Sequence, residues 1–372
     1  MQIKELFKRI DWYLILLLMS LVGVGILAIN SATAYSGNID VVRMQIIYFA
    51  VGFILMIIVM SFDYHFIGNW YMIIYGVTIV LLLAVILFGH EVNGAARWIK
   101  IGPIQLQPSE FAKITVILCN AKLIAKYNKR INLLWPVLVI GGVAFVPFIL
   151  VNRQPNLSTS LVILAILVIQ LFVTKLNFKY IATTVVVGIL VVTTAFVYIV
   201  NNPDQKLIED YQRKRIVNMV NGGDSQSDSY QTDRAVHAIG SGGLKGKGLY
   251  NGSISQLNYL PESHNDFIMA VIGEEFGFIG VLGLITLLLL FIGRGLFIAM
   301  RAPDDLGKFI VVGYFGMIAV QAFVNIGVVT DLLPNTGVPI PFISYGGSAL
   351  WANMIGMGLV LNVAMSREET LF

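Results

Sequence analysis

The sequence predicts an all-α polytopic membrane protein with ten transmembrane helices, both termini cytoplasmic, and one large extracellular loop between helices 7 and 8. Three observations predict it. Hydrophobic residues make up 57% of the 372-residue chain and charged residues only 12%, where a soluble domain carries roughly 25% charged residues. The apolar residues gather in long runs, and about 20 suffice to cross a bilayer as a helix. Lys and Arg are shared unevenly between the ends of those runs, which sets the orientation.

The runs are 12–32, 44–62, 68–89, 107–125, 133–151, 157–174, 179–200, 266–299, 306–329 and 347–365. The first follows Lys4, Lys8 and Arg9 with no small-residue cleavage site, so it reads as a retained span rather than a removable signal. With the N-terminus inside, Lys122, Lys126, Lys129, Arg130, Lys175, Lys179, Arg294, Arg301, Lys308 and Arg367 also fall in the cytoplasm. The short loops on the other side hold only Arg43, Arg97, Lys100 and Arg153. The eighth run is too long for one crossing, so part of it must tilt or project. Cys119, the lone cysteine, packs inside the fourth run; by itself it permits neither an intrachain disulfide nor a cysteine metal site.

Residues 201–265 break this pattern, being polar and rich in Gly, Asn, Ser and Asp. A loop of that length is functional or disordered. The glycines of 238–262 permit tight turns close to a surface or ligand. GSGGLKGKG (240–248) has no following helix and lies outside the cell, so it is not read as a nucleotide loop. Lys245 and Lys247 on that frame are candidates for holding a phosphate-bearing group. With no internal repeat, 1–372 reads as one membrane domain, the loop included.

Four clusters could carry chemistry. LNYLPESHNDFIMAVIGEE (257–275) runs from a polar turn into an apolar helix, and Asp266 is its last acid before the apolar run. Ionisable groups in a bilayer are costly and mark pathways or active sites. Asp266 either caps the helix, where acids favour the dipole, or acts as a general base on a lipid-borne substrate. Glu262 and His264 precede it at spacings of two, His264 as a loop hydrogen-bonder rather than a metal ligand. In NGAARWIKIGPIQLQPSEFAKI (93–114), Gly102 and Pro103 break the chain and Pro108 suits the first turn of a helix. Glu110 and Lys113 then share a helix face, as a structural ion pair or as polar support for a nearby site. Arg97 with Trp98 reads as an interfacial pair. In NRQPNLSTS (152–160), Arg153 is a snorkelling flank or a phosphate contact. NIGVVTDLLPNTGVPIPFISYGGSALW (325–351), which includes Ser348, is broken backbone at the membrane face. Such backbone must be buried in protein or line a cavity, so it is expected to re-enter and close one side of an outward cavity. Its LPNTG (333–337) matches a cell-wall sorting signal, but a full tenth span follows, which excludes that reading. No cysteine–histidine arrangement gives a zinc site.

Together and in this order, NGAARWI, QPSEFAK, LPESHNDF and PFISYGGS resemble the SEDS family (shape, elongation, division and sporulation proteins) over nearly the whole chain. AIGSGGLKGKG, RQPNLSTS and SYGGSAL look closer to its rod-elongation branch, RodA, than to the division branch. The resemblance implies a peptidoglycan glycosyltransferase of the bacterial cytoplasmic membrane. It would transfer the lipid-linked growing strand onto the 4-hydroxyl of lipid II, with inversion, during cell elongation. Asp266 matches the family's essential aspartate and would be the base; Glu110 and Lys113 match its polar pair; Arg97 and Arg153 would hold the pyrophosphate leaving group. The implied partners are a class B penicillin-binding protein, lipid II and the undecaprenyl-pyrophosphate-linked glycan within membrane lipid, and no nucleic acid. No cofactor is fixed, and a divalent cation at the pyrophosphate stays open. Where the family usually reads QPDLGT, this chain has Asn156 and Ser158, and Asp331 and Asn335 stand where glycine and a small apolar residue are commoner.

Two other readings compete. A lipid II flippase would suit ten helices with intramembrane charges, but the polar clusters concentrate on one face and no paired broken helices repeat in the two halves. A non-catalytic scaffold for a transpeptidase predicts that Asp266 is dispensable.

Overall fold

The computed structural model describes residues 9–35, 39–92, 95–102, 104–202, 213, 217, 228–256, 260 and 263–366. Its helices are α1 (Trp12–Ala34), α2 (Ile39–Ser61), α3 (Tyr64–Asn69), α4 (Tyr71–Phe88), α5 (Pro108–Tyr127), α6 (Leu134–Asn152), α7 (Leu157–Phe172), α8 (Phe178–Asn201), α9 (Asp228–Gly242), α10 (Ser253–Gln256), α11 (Ile268–Met300), α12 (Asp305–Val329) and α13 (Gly347–Met365). A helix overlaps every predicted run. Seven of them, α1, α2, α4, α6, α11, α12 and α13, are long and apolar enough to cross a membrane. The chain is a multi-pass membrane protein.

Local chemistry sets the helix starts. Asp11 accepts from Leu14 N at 3.1 Å to cap α1, and Asp304 accepts from Gly307 N at 2.8 Å to cap α12. Pro108 opens α5, where a missing N–H costs nothing. Asp11 also receives Arg294 through Nε at 3.1 Å and Nη2 at 2.7 Å, which locks the start of α1 to the far end of α11. The tenth and fourth runs owe their polar residues to position: α5, buried along most of its length, packs against α4, α6, α7, α12 and α13. By contrast α2 and α4 turn many apolar side chains outward, as a lipid-facing helix does.

Two features depart from the expected all-helical pattern. Strands β1 (His90–Val92), β2 (Ala95–Ile101) and β3 (Ile104–Leu106) form a small antiparallel sheet in that order. Ile101 pairs with Ile104, and Gly102, which follows Ile101, holds φ 61°, a left-handed value that glycine adopts without cost. The segment was expected only to be broken, because three-residue strands leave too short an alternation to read. The predicted 201–265 loop, in turn, contains α9, which packs on α11 and α12.

The overlong eighth run is two helices merged across Gly277, whose φ of 66° and ψ of −163° are not helical. In an unbroken helix Phe278 N would bond Glu274 O, and Ile279 N would bond Glu275 O. Instead Phe278 N donates to Gly243 O at 2.8 Å and Ile279 N to Leu244 O at 3.2 Å. The two carbonyls freed are met by Lys247 N at 3.0 Å and Gly248 N at 2.9 Å. Segment 243–248 is thus spliced into the helix break, and all four backbone groups are satisfied, as a bilayer demands. The fit needs glycine: a Cβ on Gly246 would lie 2.1 Å from Glu275 O.

Candidate functional site

The site is built around the turn that feeds α11. Asp266 stands one residue before the helix cap Phe267, and its side chain is half-buried. A Cβ on Gly337, at φ 67°, would lie 3.2 Å from Asp266 Oδ2, so the carboxylate looks onto the segment that follows α12. Two residues earlier, His264 accepts from Tyr345 N through its main-chain oxygen at 3.0 Å. Its ring meets the Tyr345 ring edge-on, with centroids 5.6 Å apart. Glu262 lies outside the described residues.

The segment between α12 and α13 goes down into the bundle. Ile340, Phe342 and Ile343 are buried, and the Ile343 backbone presses against Gly25 of α1. Neighbours on many sides hold it. Gln45 of α2 donates to Ser344 O at 3.4 Å and accepts from Gly346 N at 3.3 Å. Ser158 of α7 donates to Thr336 O. Asn335 donates to Gln231 of α9 at 3.1 Å. Asn325 of α12 donates to Val338 O at 2.7 Å.

Ser348, in the first turn of α13, joins this segment to the start of α5. It donates to Gln105 O and accepts from Gln107 N, both at 3.0 Å. Three residues on, Lys113 Nζ meets Glu110 Oε2 at 2.8 Å, with side chains 1% and 5% exposed. Burial this complete needs the two charges to neutralise each other. On the other flank, Arg97 of β2 donates through Nη2 to Pro155 O. Asn156 caps α7 at Thr159 N, 3.3 Å, and reaches Ser109 Oγ at 3.5 Å. Arg153 is exposed in the same turn. Hydrogen bonds thus link Arg97 to Pro155, Ser158 to Thr336, Tyr345 to His264 and Ser348 to the start of α5, a rim of joined loops on which Asp266 faces Gly337.

Lys247, on the glycine frame, turns to a carboxylate of α11. Its Nζ lies 2.7 Å from Glu274 Oε1, and Glu274 is fully buried. The same carboxylate oxygen accepts from Ile254 N at 2.9 Å and Ser253 Oγ at 3.3 Å. A buried carboxylate has first claim on the nearest cation. Lys245 is exposed on the same turn. Among the described residues no group of three or more His, Cys, Asp or Glu is placed to hold a metal ion.

Sequence reasoning passed over three residues of this region. Gln45 is the one amide of α2, and Asn325 with Gln321 are the two of α12, a signal visible in the sequence. Gly277 carried none, since glycine is frequent in membrane helices.

Comparison with known proteins bears on the family and the fold. Residues 9–369 match a family described as "Cell cycle protein", that of FtsW, RodA and SpoVE. Peptidoglycan glycosyltransferase MrdB of Escherichia coli K12 is 36% identical over 97% of this chain and 95% of its own length. Stage V sporulation protein E of Bacillus subtilis is 33% identical over 95% and 96%. The rod shape determining protein RodA of Thermus thermophilus superposes with a TM-score of 0.70 at 27% identity, covering 97% of this chain and 98% of that one. A chain of a structure described as a peptidoglycan synthase complex, in which polymerization and crosslinking are coordinated, superposes at 0.81 with 28% identity over 97% and 99%.

Proposed function

The chain belongs to the FtsW, RodA and SpoVE family, and from that premise we propose how it works as a peptidoglycan glycosyltransferase that polymerises glycan strands for cell shape. The observation that carries the reading is the half-buried Asp266 carboxylate, held on a polar rim against the re-entrant Gly337 segment. The ten long helices each span the bacterial cytoplasmic membrane, with both termini inside and 201–265 outside, so the rim faces the leaflet where lipid II is presented.

The donor is the growing strand on undecaprenyl pyrophosphate and the acceptor is lipid II. The acceptor 4-hydroxyl oxygen attacks the donor anomeric carbon as Asp266 takes its proton. The bond to pyrophosphate breaks with inversion. Negative charge builds on the leaving group, and Arg97 and Arg153 on the neighbouring turn stabilise it. The Glu110–Lys113 pair supports the rim from below, while His264 and Ser348 fix its loops. Lys245, which is exposed, and Glu262 are assigned to contacts with the glycan or pyrophosphate beyond the rim. A divalent cation would arrive with the pyrophosphate rather than reside on the protein. A class B penicillin-binding protein cross-links the product.

The test is polymerisation of labelled lipid II by purified protein, with and without its transpeptidase and with and without chelator. Asp266→Asn is expected to lower the rate by at least about a hundredfold, the lower end of what one general base contributes, and to leave the thermal midpoint unchanged. Normal strands from that variant would end the catalytic assignment and favour a scaffold or a flippase.

A further inference from the structure

Asn325 lies in the last two turns of α12 and is 1% exposed, one turn on from the buried Gln321. Its Nδ2 donates to two main-chain carbonyls, Asp266 O and Val338 O, each at 2.7 Å. Both hydrogens of one amide are thereby used. The Asp266 carbonyl is available because the first turn of α11 begins one residue later, with Ala270 N bonded to Phe267 O at 2.9 Å. Val338 directly follows Gly337, the residue on which the Asp266 carboxylate looks. One side chain therefore fixes both walls of the same gap, the turn that carries the acid and the segment that faces it.

The chemistry of the amide suits this use. A lysine could donate to both carbonyls but would set a cation beside the carboxylate and bind it as an ion pair. A serine could serve only one. The amide brings two neutral donors, while its Oδ1 finds no partner among the described residues. An apolar residue here would leave the Asp266 and Val338 carbonyls without this donor, so the amide serves the fold as well as the placement of the turn.

We infer that Asn325 is a positioning residue for the transfer, setting where the Asp266 carboxylate stands relative to the Gly337 segment. The inference rests on Asp266 being the base. Misplacement of a reacting group by about 1 Å costs on the order of a hundredfold in rate.

The experiment measures lipid II polymerisation by the full-length protein with its transpeptidase, over a range of lipid II concentrations, together with thermal unfolding. Asn325→Ala removes both donors without adding charge, and Asn325→Ser keeps one small donor. The expected result is a kcat about 30- to 100-fold lower for Asn325→Ala and intermediate for Asn325→Ser, with KM within about threefold of the parent and unfolding still cooperative. Wild-type kcat in both variants, or a loss confined to KM, overturns the inference. So does failure of both variants to fold, which would make Asn325 a structural residue only. If Asp266→Asn is inactive while both Asn325 variants are normal, this inference alone fails. If Asp266→Asn polymerises normally, the base assignment falls first.

Discussion

Asp266 and Glu274 stand two turns apart on one stretch of chain, and the bundle treats them in opposite ways. Glu274 is sealed: a lysine, a hydroxyl and a backbone N–H converge on one oxygen of a fully buried carboxylate. Asp266 is half-buried, on a turn that two main-chain hydrogen bonds hold from outside the helix. The first arrangement spends an acid on structure, since it closes a helix break with a spliced loop. The second fixes the backbone of the turn and keeps the residue half-buried beside the Gly337 segment. Full burial on matched donors marks Glu274 as a structural acid, which its charge and its place beside an apolar run do not.

Breaking the splice is expected to have the largest effect. In Gly246→Val the new Cβ would overlap Glu275 O and demand φ near 77° of a β-branched residue, so folded, detergent-stable protein should be lost on size-exclusion chromatography. Monodisperse Gly246→Val would show that the splice is optional. Glu274→Ala comes next. It leaves Lys247 without its carboxylate, and stability should fall by about 2–3 kcal/mol, below the ~3–5 of a sealed pair because Lys247 is 27% exposed and can turn to water. Its kcat per folded molecule should stay near wild type; a selective loss of kcat would place Glu274 on the working side of the comparison.

A third acid gives the smallest effect. Asp331 holds φ 58°, a left-handed position that glycine adopts without cost. Burial, and then the nearby Asp233, push its pKa above the usual carboxylate range. The folded state thus holds this proton more tightly than the unfolded chain, so the group favours folding at low pH. That contribution fades as pH rises through the window from the ordinary carboxylate value to the raised one. Asp331→Gly should therefore raise the thermal midpoint at neutral pH, by under about 1 kcal/mol in stability, with less gain at low pH. A larger gain at low pH than at neutral pH would contradict this sign.

The sequence alone determined the class of fold, because a helix across lipid must satisfy its own backbone and bury apolar side chains, and both demands act within single runs. It also singled out Asp266 and the Glu110–Lys113 pair, since charges beside or inside apolar runs are conspicuous. Only the tertiary structure decided what each charge does. That Lys247 neutralises Glu274, that Ser348 ties two backbones together and that Asn325 spans Asp266 and Val338 are contacts between segments far apart in the chain. No local spacing encodes such partners: they follow from which helices pack side by side and from where each broken backbone finds its hydrogen bonds.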